Sequence, residues 1–268
     1  SVTPVIVNSE TTSIILNVTV QYNKNATTLS PADLETNILS ALSNYNESLL
    51  QSFNEPFRHS KVLSLIDNSN TSILNSTATV SISKSFTPQL STEASYSLNF
   101  ANIIYHPHSG HNSESGGILN SSGFFLTPDT KYNIGQDINR EYFLDEDGSG
   151  NVRIYYLSAL NRIYSAEFAG KIDYHDGIVS LFPIDILSVS DIDGVASSQI
   201  KVSVIPDSYD IVPVRNQILE LDLINTNITA SVDAITSTGQ TFSTTTTSSG
   251  TTTTVTTASS SAPTTSYY

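Results

Sequence analysis

Three histidines, His106, His108 and His111, fall within six residues of one another, and imidazoles so spaced on a loop can converge on a zinc or iron ion. The nearest carboxylate is Glu114, and Pro107 and Gly110 suit an exposed turn equally well, so the three are metal candidates only and no cofactor is assigned. Asp145, Asp147, Ser149, Gly150 and Asn151 reproduce the opening of a calcium loop, D-x-D-x-S-G-N. The ninth position of that loop is Arg153 and the twelfth is Tyr156, where a bidentate carboxylate is required, so the run is expected to be a hairpin turn. Gly148-Ser149-Gly150 lies at the tip of that turn and cannot serve as a strand-to-helix nucleophile elbow. Asp191 and Asp193 precede Gly194 and read as another turn. There is no phosphate-binding glycine loop. No catalytic or cofactor-binding residues are assigned, and the chain is expected not to be an enzyme.

Composition narrows the classes further. Of 268 residues, 25 are acidic and 11 basic, a net charge of −14, with no Cys, Met or Trp. Without thiols there is no disulfide framework, Cys-ligated metal or thiol nucleophile. The acidic excess repels phosphate backbones and anionic lipid, so nucleic acid and membrane are expected not to be partners. A start at Ser1 with no methionine anywhere reads as a processed or partial chain. Seven N-x-S/T sequons occur, at Asn17, Asn25, Asn46, Asn70, Asn75, Asn120 and Asn227. Roughly six are expected by chance from so much Asn, Ser and Thr.

The elements that would position these residues read as β-rich α+β. From Ser13 to Tyr22, Ile14, Leu16, Val18, Val20 and Tyr22 alternate with polar residues, predicting a half-buried strand. Ser30 and Pro31 form an N-cap and N1 pair, with Asp33 and Glu35 in the first turn. Leu34, Ile38, Leu42, Tyr45, Leu49 and Phe53 then predict an amphipathic helix of about five turns that Pro56 stops. A shorter helix is expected over 58–67, and strands resume around Val80 and Tyr96. Asp-Gly steps place hairpin turns at 145–151 and 175–177. The near-continuous apolar run from Gln217 to Ile228 predicts a central strand.

These elements divide the chain into an α+β module over 1–105 and a Gly/Ser/His-rich excursion loop over 106–135. A β-hairpin-rich module follows over 136–233, then a Thr/Ser-rich tail over 234–268. The fold class is an amphipathic helix packed on a mostly antiparallel sheet, followed by the hairpin-rich module. No charged residue follows Asp233, and the tail is expected to be disordered or ordered only against a partner.

Several segments, in order, resemble the C-terminal part of the large baseplate wedge protein, the sixth gene product, of T-even-like contractile-tailed phages and their cyanophage relatives. They are Phe53-Asn54 to Ser60-Lys61 with Ile66-Asp67 and Ile73 to Ser76, Leu144 to Asn151, Gly170 to Tyr174 with Gly177 to Leu181, and Asp210 to Gln217. The resemblance spans roughly Ser13 to Ala234. It implies a virion subunit assembled in the host cytoplasm that forms homodimers, holds a second wedge protein and joins neighbouring wedge subunits into the ring around the hub. That ring supports the rearrangement that triggers sheath contraction. It carries over no catalytic residue. The alternative is a cell-surface adhesin or glycoprotein with a Ser/Thr stalk, which requires accessible sequon asparagines.

Overall fold

The computed structural model describes residues 10–106, 117–192, 194–214 and 217–234, and the strands 243–248 and 251–256. In chain order the elements begin with β1 (Glu10–Tyr22), α1 (Pro31–Tyr45), α2 (His59–Asp67), β2 (Ile73–Phe86) and β3 (Ala94–Asn99). Then come β4 (Leu119–Ser121), β5 (Phe124–Leu126), β6 (Glu141–Glu146), β7 (Asn151–Ser158), β8 (Asn161–Tyr164), β9 (Gly170–Asp173) and β10 (Ile178–Ile184). The remaining strands are β11 (Ile186–Val189), β12 (Ile200–Val204), β13 (Gln217–Leu221), β14 (Asn227–Val232), β15 (Ser243–Ser248) and β16 (Thr251–Thr256). One sheet runs β13-β1-β2-β12-β4, with β14 continuing alongside β1; a second runs β11-β5-β6-β7-β9-β10-β3, with β8 on β7. Most pairings are antiparallel, as expected, but β13 and β14 run parallel to β1.

The alternation read in β1 is realised: Ile14, Leu16, Val18, Val20 and Tyr22 are buried while Asn17, Thr19 and Gln21 face water. Each fully buried aliphatic contributes about 1.5–3 kcal/mol of burial free energy, so this one strand face is a large part of the core. Helix α1 starts where the cap residues place it. Ser30 Oγ accepts the Asp33 N–H at 3.2 Å and the Asp33 carboxylate accepts the Ser30 N–H at 3.0 Å, a reciprocal capping box. Leu34, Ile38, Leu42 and Tyr45 are its buried stripe.

Beyond Tyr45 the expected stripe fails. The helix passes into one π turn, Asn46–Leu50, and the extra residue in that turn shifts the phase of everything after it. Leu50 is wholly buried, whereas Leu49 and Phe53, which the simple helical spacing places in the core, are 42% and 68% exposed. Helix α2 begins at His59, and its N-terminus is capped from afar: Asp210 Oδ1 accepts the His59 N–H and Oδ2 accepts from Arg58 Nη1, both at 2.9 Å.

The run Gln217–Ile228 is not a central strand. It breaks at 222–226 into β13 and β14, which together form an edge of the first sheet. Thr226 Oγ1 donates to the Asp222 carbonyl at 2.7 Å and Asp222 accepts the Asn225 N–H at 3.1 Å, so this short polar turn satisfies itself instead of extending the ladder. Helix α1 and the π turn then cover the edge. The Leu221 N–H donates to Asn46 Oδ1 at 2.8 Å and the Ala230 N–H to Glu35 Oε1 at 2.9 Å, leaving fewer open donors there.

Strands from both sides of residue 105 build the first sheet, and one contiguous core runs from Ile14 to Leu221. The excursion loop also ends sooner than its composition suggests, because Leu119, Phe124, Leu126 and Tyr132 are buried and fix β4, β5 and the turn after them. In the Thr-rich tail, β15 and β16 pair with each other.

Candidate functional site

The hairpin of β6 and β7 carries a buried cluster of charged side chains. Its Asp-Gly turn pairs Asp145 with Arg153 across the strands, and both side chains turn inward. Asp145 is fully buried; it accepts from Arg153 Nε at 2.9 Å, Arg162 Nη1 at 2.8 Å and the Tyr164 hydroxyl at 2.8 Å. The guanidiniums in turn stack on rings, Arg153 over Tyr164 at 4.1 Å and Arg162 over Tyr155 at 4.7 Å. Burial pushes the Asp145 carboxyl above the ordinary aspartate value, against the opposing pull of the Tyr164 hydroxyl and the arginines. Next to it the buried Glu146 accepts from the Ile118 N–H at 3.3 Å and from Tyr174 Oη at 3.3 Å. Burial and the neighbouring Glu146 charge raise the Tyr174 phenol.

This cluster is an internal clamp. The oxygens of Asp145 already hold three donor side chains, and no exposed surface of that carboxylate remains for a substrate. In the sequence alone Arg153 speaks only against calcium. The turn register that pairs it with Asp145 was the signal that would have found the clamp. Asp147 is likewise committed, accepting the N–H groups of Ser149 and Asn151 at 2.8 and 3.0 Å and the Asn151 amide at 2.7 Å. The D-x-D-x-S-G-N run therefore folds as the hairpin turn.

Of the three histidines, His106 is exposed and stacks on Tyr174 with ring centroids 4.3 Å apart. His108 and His111 lie outside the described residues. Among the described residues no three His, Asp or Glu side chains group in a way that could hold a metal ion. A polar cleft of about 480 Å³ between the two sheets is lined by Ser122, Glu141, Asp191 and Lys201. Its cation is paired with Asp222 and Glu141 accepts from Ser190. A second groove, about 500 Å³ and mostly apolar, lies between α1 and α2.

Buried ion pairs, capped helix ends and a covered sheet edge hold a β-rich fold together. The segment that holds β1, α1, α2 and β2 places it more closely: residues 10–85 match the family model of baseplate structural protein gp6, C-terminal domain III. The match bears out, over those residues, the resemblance to a gp6-type baseplate wedge protein. Comparison with curated proteins finds no match.

Proposed function

We propose that the chain is a structural subunit of a phage tail baseplate wedge, acting in the virion after assembly in the host cytoplasm. In this reading it pairs with a second copy, holds a second wedge protein and links neighbouring wedges into the ring around the hub. The ring stays closed by rigid-body rearrangement at those contacts while the baseplate changes shape and sheath contraction is triggered. The observation that carries the proposal is the match of residues 10–85 to a baseplate structural domain. That segment also supplies Glu35 and Asn46, whose side chains tie α1 and the π turn to β14 and β13. A structural family and a carboxylate cluster spent on internal pairing both favour a mechanical over an enzymatic role.

The adhesin reading gains little. Asn46, one of its sequon asparagines, is buried and bonded to Leu221, while Asn17, Asn25, Asn75, Asn120 and Asn227 are exposed. Accessibility thus does not choose that reading. Among the described residues no helix is long and apolar enough to cross a membrane.

The test is genetic. A nonsense mutation in the encoding phage gene should yield particles whose tails lack complete baseplates under the electron microscope, with rescue by the gene in trans. Normal, infectious particles from the mutant would refute the proposal.

A further inference from the structure

Two side chains on the outward face of β6 stand where two clefts meet. Glu141 and Phe143 are two residues apart on that strand and project to one side of it, while Tyr142 and Leu144 are buried on the other. Both line the polar cleft of about 480 Å³ between the two sheets. Both also line a cleft of about 320 Å³ that includes Asn139, Arg140 and Tyr156, so the two clefts adjoin. The Phe143 ring is stacked on Tyr155, with centroids 5.6 Å apart. Gly123 seats the Glu141 carboxylate: a methyl at Gly123 would collide with it and would lie 2.6 Å from Ser190 Oγ, the hydroxyl that donates to it.

The polar groups of the larger cleft are held in place yet open to a ligand, unlike those of the Asp145 clamp. Ser121 Oγ accepts the Leu144 N–H at 2.8 Å and Ser122 Oγ accepts the Lys201 N–H at 3.0 Å, which anchors both oxygens. Neither hydroxyl proton has an acceptor among the described residues, and the Ser81 hydroxyl, the Asn120 amide protons and the Asp191 carboxylate have no partner among them. Lys201 supplies the lining's positive charge and is paired with Asp222, so Glu141 and Asp191 leave the cleft negative. That sign repels phosphate and other anions, and no three ligating side chains group for a metal among the described residues. A sugar hydroxyl both donates and accepts, and the C–H groups of a sugar ring rest on an aromatic face.

We infer that this cleft binds a neutral saccharide. Ser81, Asn120, Ser121 and Ser122 donate to its oxygens, Glu141 and Asp191 accept from its hydroxyls, and Phe143 lies against a ring. The volume is that of a small-molecule site, and the adjoining cleft lets a longer sugar chain continue past Phe143 toward Asn139. An extended peptide would need an open strand edge, and the edge at β4 is met by β6 through the Leu144 bond to Ser121. The inference goes beyond the wedge reading and does not depend on it.

The experiment applies the full chain to an array of immobilised neutral and sialylated oligosaccharides, then titrates the best neutral binder by calorimetry. The expected dissociation constant is below about 1 mM, with weaker binding of the sialylated counterpart because the cleft is negative. Ser81→Ala and Asp191→Ala remove groups that no described residue bonds, so each should weaken binding about fivefold while leaving the thermal midpoint unchanged. Phe143→Leu should weaken it about tenfold. Asp176→Ala, outside the cleft, should leave it unchanged. Retention of no oligosaccharide, a preference for sialylated ones, or binding indifferent to Ser81→Ala, Asp191→Ala and Phe143→Leu overturns the inference. Any of these results leaves the wedge reading standing, since that reading asks for no sugar.

Discussion

Asn46 and Leu221 stand 175 residues apart in sequence, yet the Asn46 side-chain carbonyl accepts the Leu221 N–H at 2.8 Å in a buried setting. This bond ties the π turn at the end of α1 to the parallel edge strand β13. It also explains why a polar residue sits where the helical stripe leaves the core. Asn46→Ala should destabilise the fold by about 1–3 kcal/mol, the cost of a buried donor left without a partner. Urea unfolding measures it, and a change under a few tenths of a kcal/mol would mean that the edge is held by β1 alone.

The clamp around Asp145 separates two arginines by burial. Arg153 has only 10% of its side chain exposed whereas Arg162 has 33%. Asp145→Ala leaves a buried guanidinium uncompensated and should cost about 3–5 kcal/mol. Arg162→Ala, at the wetter side, should cost about 1 kcal/mol or less. Equal losses in denaturant titrations would contradict the difference that burial makes.

Two glycines with nearly equal φ give a controlled comparison. Gly177 has φ +67° and a methyl there would lie 2.1 Å from the Asn102 carbonyl oxygen, while Gly194 has φ +76° and, among the described residues, nothing within 4 Å. Gly194→Ala should cost about 1 kcal/mol, the left-handed penalty alone. Gly177→Ala must also move the backbone at Asn102 and should lower the thermal midpoint clearly further. Indistinguishable midpoints would show that the 174–177 turn yields freely.

Acid should loosen the contacts made by two distant carboxylates. The His59 N–H and Arg58 hold the Asp210 carboxyl below the ordinary aspartate value. At Asp222 burial works upward, but the bonds from Lys201 and Asn225 prevail and the value is again lowered. Groups with depressed folded values add stability that is complete above the unfolded pKa of about 3.9 and is lost as pH falls through the folded values. Unfolding midpoints should therefore drop mainly below about pH 4, and Asp210→Asn with Asp222→Asn should flatten that drop. An unchanged slope in the double variant would place the acid sensitivity elsewhere.

Local features were the legible ones. Ser30, Pro31 and Asp33 announce the start of α1 because capping is a matter of four consecutive residues, and the alternation Ile14 to Tyr22 announces β1 because one face is buried along its length. The Asp-Gly steps located both hairpin turns. What escaped was phase and distance. Hydrophobic spacing cannot show that the turn at Asn46–Leu50 takes an extra residue, so it places Leu49 and Phe53 in the core although both are exposed. Nor does an apolar run show that β13 and β14 will return across some 200 residues to lie parallel on β1, a pairing set by tertiary packing. The Asp145 clamp was half visible, since the turn register implies the Asp145–Arg153 pair, but Arg162 and Tyr164 join it only through a further strand.

The central claim is a place in the wedge ring, and an electron cryomicroscopy map of intact baseplates from the encoding phage tests it most directly. The account predicts density for the six-stranded sheet with α1 and α2 laid on it, repeated at every wedge around the hub. Baseplates whose ring density leaves no room for this fold, or that lack the chain by mass spectrometry, would contradict it.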